Sequence, residues 1–92
     1  MDSIYEKIIR EIIKQQEMIV GSLAWTEAKK VDGLEIADGQ LVRVQGNDEK
    51  VLGLLVEQYK RLFGLASVAV CKDAVKSLSN ETKDVRLPDI LK

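Results

Sequence analysis

The sequence predicts an α+β fold: a long N-terminal amphipathic helix, a two-stranded β-hairpin, and then one or two further helices. Three features carry this prediction: a capping box followed by helically spaced isoleucines, an Asp-Gly pair between two short apolar runs, and a second capped amphipathic segment. The 92 residues suit a single domain. We place that domain at residues 1–80 and expect residues 81–92 to form an extended or flexible C-terminal tail.

The first helix begins at a capping box. Ser3 and Glu6 have the spacing at which the serine hydroxyl accepts from the amide of Glu6 while the carboxylate reaches back to the amide of Ser3. The apolar residues that share one half of the helix circumference are Ile4, Tyr5, Ile8, Ile9, Ile12, Ile13, Ile19, Val20 and Leu23. This half is wider than the roughly 100° stripe that rests on one core. We therefore expect the helix to contact both the hairpin and either a second helix or a second copy of the chain.

The apolar face changes side at Gly21. Ala24, Trp25 and Ala28 follow on the side of the helix that is polar before this point. Either the helix bends near Gly21, or it continues and buries a second face through its small residues. We interpret Trp25 as a core residue seated on glycine and alanine, in preference to a residue that stacks on a ligand.

The β-hairpin follows. Asp32-Gly33 is predicted to end the helical region, because glycine takes the left-handed conformation without steric cost. The runs 34–37 and 40–45 then flank Asp38-Gly39, and this arrangement favours a type I′ turn with positive φ at both central residues. The predicted apolar face of the hairpin consists of Leu34, Ile36, Leu41 or Val42, and Val44.

A second amphipathic helix starts after the hairpin. Gly46-Asn47-Asp48 breaks the second strand and caps this helix, with acidic residues near the positive end of its dipole. Its apolar face consists of Val51, Leu52, Leu55, Val56, Tyr59, Leu62 and Phe63. Gly64 ends or bends the helix. The run 65–71 fits either a helix or a strand, and the charged residues after it favour a helix that reaches about Leu78.

Composition argues against several classes of function. Fourteen basic and fifteen acidic residues give a net charge of −1, and the two signs are interleaved, so we do not expect a dedicated nucleic-acid binder. The chain has no histidine and one cysteine, Cys71, so it lacks the partners of a Cys–His nucleophile and the ligands of a zinc site. We predict a protein that is not an enzyme and has no cofactor and no metal site.

The chain is also expected to stay out of membranes. Its N-terminal residues lack the apolar core of a signal peptide, and no apolar run approaches the roughly 18 residues of a membrane span. A single cysteine suits a reducing compartment, so we expect the protein in the cytoplasm.

The sequence does not identify a function. The favoured hypothesis is a small non-enzymatic protein–protein interaction or regulatory module that acts as a homodimer, because a wide apolar face and a lone hairpin both need covering. The candidate interaction surface consists of Ile8, Ile12, Ile19, Leu23 and Trp25. The alternative is a protein that binds nucleic acid or another anionic ligand, and its candidate residues are Lys29, Lys30 and Arg43. An enzyme whose site assembles between subunits is the least favoured hypothesis.

Overall fold

A computed structural model describes residues 3–37 and 41–92 of the chain. In chain order, the elements are α1 (Ile4–Val20), α2 (Leu23–Ala28), β1 (Leu34–Ala37), β2 (Leu41–Val44), α3 (Asp48–Phe63), α4 (Leu65–Ser77), α5 (Ser79–Thr82) and a C-terminal 3₁₀ helix (Asp89–Leu91). The predicted α+β class is confirmed, as are the order of helix, hairpin and helices and the long N-terminal helix.

The capping box at the start of α1 is confirmed. Ser3 Oγ accepts from the amide of Glu6 at 3.1 Å, and Glu6 Oε1 accepts from the amide of Ser3 at 3.0 Å. The helix ends at Val20 because Gly21 takes a φ of 68°, and α2 starts at Leu23 in a new direction. Of the two alternatives at Gly21, the bend is therefore correct.

The hairpin pairs β1 with β2 in the antiparallel sense, and Leu34 lies opposite Val44. Leu34 and Val42 are buried, so the predicted apolar face points into the core. The amide of Val44 donates to Glu6 Oε2 at 2.9 Å, which joins the outer edge of β2 to the first turn of α1. The predicted type I′ turn at Asp38-Gly39 lies outside the described residues.

Two long helices follow the hairpin. Asn47 is the N-cap of α3, and its side-chain oxygen accepts from the amide of Lys50 at 3.0 Å. Gly64, with a φ of 85°, ends α3 and starts α4. The run 65–71 is helical, which settles the alternative that the sequence left open.

The C-terminal residues return to the core. Val85, Leu87 and Ile90 pack against it, and Leu91 is buried. Tyr5 OH donates to the carbonyl oxygen of Arg86 at 2.7 Å, so this segment lies along the start of α1.

Helix α1 is central in the packing. It contacts α2, α3, α4 and β2, and Ile8, Ile9, Ile12 and Ile13 are fully buried among them. Four neighbours within one chain account for the wide apolar face that the sequence shows in the first part of the helix. The last turn of α1 extends beyond these neighbours and leaves apolar side chains in solvent.

Candidate interaction surface

The five residues of the predicted interaction surface lie in two different places. Ile8, Ile12 and Trp25 are in the interior of the chain, whereas Ile19 and Leu23 are exposed to solvent. The structure thus brings Ile19 and Leu23 together near the bend between α1 and α2. It does not bring them together with the other three residues.

Exposed apolar side chains concentrate near the two turns at Gly21 and Gly64. Among the described residues, six large hydrophobic side chains are exposed, and five of them lie next to Gly21 or Gly64. We call this set the apolar end surface; it consists of Met18, Ile19, Leu23, Leu62 and Leu65. Met18 is 82% exposed and Leu65 is 74% exposed. Side chains of this type are usually covered, so their clustering marks a candidate contact surface.

The chain turns at Gly21, between α1 and α2, and at Gly64, between α3 and α4, and we call these two turns corners. Hydrogen bonds bring the two corners side by side. Gln16 Nε2 donates to the carbonyl oxygen of Ser67 at 3.0 Å, which joins the end of α1 to the start of α4. Tyr59 OH donates to the carbonyl oxygen of Ala24 at 2.7 Å, which joins the last part of α3 to α2. The turn at Gly21 and the turn at Gly64 are therefore neighbours, and each carries exposed apolar side chains.

The start of α4 extends this surface. Residues 65–71 carry no charge, and Ala66 and Ala69 are exposed alongside Leu65. A helix segment that is apolar around its whole circumference usually lies within a core or an interface. In this chain Cys71 faces the core, so the opposite side of the segment has no cover among the described residues.

Sequence reasoning missed Met18, Leu62 and Leu65 as surface residues. It assigned Leu62 to the apolar face of α3, but Leu62 is 45% exposed, whereas Tyr59 and Phe63 on the same predicted face contact the core. The uncharged run 65–71 was the available signal: a helix without a polar side needs two neighbours.

Opposite charges border the two corners. The last turn of α1 contains Glu17 and no basic residue. The last turn of α3 contains Lys60 and Arg61, both exposed. One corner is therefore acidic at its rim and the other is basic.

The candidate anion-binding residues are also divided. Lys29 and Arg43 line one open groove of about 490 Å³ beside β1, together with Leu34, Glu35, Ile36 and Ala37. Lys30 Nζ instead donates to Glu27 Oε2 at 3.0 Å. Two of the three predicted residues thus share a site, and the third neutralises a buried carboxylate on α2.

The buried polar groups have structural roles. Burial raises the pKa of the Cys71 thiol to about 11, although the hydrogen bond from Gln16 Nε2 to its Sγ opposes the shift. A thiol in this state is protonated at neutral pH and is a poor nucleophile.

The indole N–H of Trp25 is buried and has no acceptor in the described part of the chain. Residues 3–37 and 41–92 contain no group of three or more acidic or cysteine side chains that could hold a metal ion.

The fold and surface define a small α+β protein with an apolar end surface and a separate basic groove. No protein-family model matches the chain, and no significant match was found among curated proteins or solved structures. In the described ranges, no helix has the length and apolar character needed to cross a membrane.

Proposed function

We propose that the protein is a non-enzymatic interaction module that forms a two-fold homodimer through its apolar end surface. The observation that carries this proposal is that, in the described part of the chain, five of the six exposed large hydrophobic side chains lie around the two adjacent corners. The absence of histidine from the sequence and the high pKa of the Cys71 thiol support a role without catalysis. A buried free thiol also supports a cytoplasmic setting.

The size of the apolar end surface fits a second copy of the chain. The exposed fractions of its five side chains amount to about three whole side chains, on the order of 400 Å², which is within the range of the largest apolar patch on a typical monomer. A standard interface buries about 800 Å² on each partner, of which a little over half is apolar. This surface and a polar rim around it would reach that area.

Charge also favours a second copy over an unrelated partner. In a two-fold contact, the same surface serves both chains. We place the two-fold axis between the two corners, where the α1–α2 corner of one copy faces the α3–α4 corner of the other. That arrangement brings Glu17 of each copy towards Lys60 and Arg61 of its partner. The surface is thus complementary to itself in charge as well as in apolar character.

Light scattering over a dilution series tests this proposal. We expect a mass of twice 10.3 kDa at high protein concentration and dissociation towards 10.3 kDa on dilution. The substitutions M18E and L65E each place a charge within the apolar end surface and are expected to weaken dimerisation by at least about tenfold, because an unpaired charge at a buried contact costs more than about 1.4 kcal/mol.

Leu54 provides a matched control. It is exposed on α3 but lies about two turns away from Leu62, so L54E adds the same charge outside the apolar end surface. We expect L54E to dimerise as the wild type does. A constant mass of 10.3 kDa up to several hundred micromolar wild-type protein would overturn the proposal, and so would equal effects of L54E and L65E.

A further inference from the structure

The outer edge of β1 is an unpaired sheet edge. The amide of Gln45 donates to the carbonyl oxygen of Gly33 at 2.7 Å, which makes Gly33 and Gln45 a hydrogen-bonded pair. Pairs alternate along an antiparallel ladder, so Leu34 and Ile36 belong to non-hydrogen-bonded pairs and their backbone groups point away from β2.

Only part of this edge is satisfied within the chain. The amide of Leu34 donates to the carbonyl oxygen of Val31 at 3.1 Å. The carbonyl of Leu34 and both backbone groups of Ile36 have no partner in the stretches 3–37 and 41–92. One residue of an added strand can bond to the carbonyl of Leu34 and the amide of Ile36 together, because these groups have the spacing of a sheet ladder.

The described residues that line the groove beside this edge carry a net positive charge. Lys29 and Arg43 line it and have no ion-pair partner among the described residues. Among the described lining residues Glu35 is the one acidic residue, and its carboxylate accepts a hydrogen bond from Gln45 Nε2. The apolar side chains of Leu34 and Ile36 form the rest of the wall.

We propose that β1 binds an extended acidic segment of a partner protein as a third strand, with its carboxylates near Lys29 and Arg43. The backbone edge supplies the hydrogen bonds, the two cations select the charge, and Ile36 contributes apolar contact. This inference is independent of the proposed homodimer, because the two surfaces share no residue. A nucleic-acid site usually contacts many phosphates, and this groove offers only two cations among the described residues.

Fluorescence anisotropy with a labelled nine-residue peptide of alternating valine and glutamate tests the proposal. We expect saturable binding that weakens at least tenfold in the double variant K29E/R43E. The variant K72E carries a charge reversal on the exposed side of α4, outside the groove, and is expected to bind within twofold of the wild type. Equal binding of a valine–lysine peptide would overturn the charge selection.

Two further measurements address the backbone and the class of ligand. Saturation with the acidic peptide should slow hydrogen exchange of the Ile36 amide at least tenfold, and N-methylation of the peptide at alternate residues should abolish binding. An unchanged Ile36 amide would overturn strand addition. Displacement of the peptide by a single-stranded oligonucleotide of equal charge would overturn the choice of a peptide, and protection of Ile36 that rises with protein concentration alone would assign the edge to a second copy.

Discussion

Gly33 is the residue at which the fold tolerates no side chain. The sequence assigned it to the end of a helix, but α2 ends at Ala28, and Gly33 lies instead in the turn before β1 with a φ of 84°. A Cβ at this position would lie 2.7 Å from Cγ2 of Val51 and 2.9 Å from the carbonyl oxygen of Gln45. The hairpin thus approaches α3 at a point where only a hydrogen atom fits.

We expect G33A to destabilise the protein more than G46A. Gly46 also has a positive φ, 92°, but a Cβ there would meet nothing within 4 Å. Backbone strain should cost about 1–2 kcal/mol in either variant, and overpacking against Val51 should add about 1–3 kcal/mol in G33A. Urea denaturation of both variants measures the difference. Equal free energies of unfolding would contradict the close contact between Gly33 and α3.

Gln16 shows why single residues are harder to predict than elements. Its side chain is buried and spans to Ser67 and Cys71, which lie more than 50 positions later in the sequence. Local spacing placed four isoleucines of α1 correctly in the core (Ile8, Ile9, Ile12 and Ile13), because burial of a helix face repeats every three to four residues. Gln16 continues this repeat, but local sequence does not show that a distant carbonyl will accept from its amide and allow its burial. The surface positions Met18 and Leu65 escaped prediction for the same reason: their exposure depends on where neighbouring helices stop.

At the scale of elements, α2 and α3 are joined by a buried carboxylate. Glu27 Oε1 accepts from Gln58 Nε2 and Glu27 Oε2 accepts from Lys30 Nζ, both at 3.0 Å. The hydrogen bond from Lys30, followed by that from Gln58, holds the pKa of the Glu27 carboxyl below its ordinary value. The short helix α2, with only six residues, depends on such contacts because it is too short to be stable alone.

This arrangement predicts how stability depends on pH. Because the pKa of Glu27 is lower in the folded chain, its stabilising contribution is complete above the unfolded value, about 4.3 for glutamate, and is lost as the pH falls through the folded value. Wild type should therefore exceed E27Q in free energy of unfolding at pH 6, and the difference should shrink by pH 3. E57Q is the control, since Glu57 is exposed on α3. A constant difference between wild type and E27Q would contradict the prediction.

The elements themselves were largely predictable. The capping box, the helical spacing of isoleucines and the Asn47 cap each encode a helix start or face within a few residues. The run 65–71 was ambiguous because an uncharged, mostly apolar segment fits both the helical and the strand periodicity. Its helical state depends on packing against α1 and α3, which local sequence does not encode.

At the scale of the molecule, one chain builds a complete core. The Cα radius of gyration is 11.7 Å, close to the roughly 12 Å expected of a compact chain of this length. The fully buried residues come from α1, α2, α3, α4 and β2, so no second copy is needed to fill the interior. The proposed homodimer would then form from folded monomers, and its stability would add to that of each chain.

A homodimer formed from folded monomers predicts a melting temperature that depends on protein concentration. Above the dissociation constant of the dimer, each tenfold rise in protein concentration should stabilise the folded chain by about 0.7 kcal/mol, which corresponds to a Tm increase of a few degrees for a domain of this size. L65E removes the contact without disturbing the core, because Leu65 is 74% exposed in the single chain. Its Tm should equal that of dilute wild type at low concentration, and it should begin to rise only at a concentration at least about tenfold higher than for wild type.

L54E is the matched control for the melting experiment, and it should follow the concentration dependence of the wild type because Leu54 lies outside the apolar end surface. Scanning calorimetry from about 5 to 500 μM covers a range wide enough to detect a shift of this size. A wild-type Tm that does not change over this range would contradict dimerisation. A Tm for L65E below that of dilute wild type would instead assign Leu65 to the stability of the single chain, since folded monomers of the two proteins would then differ.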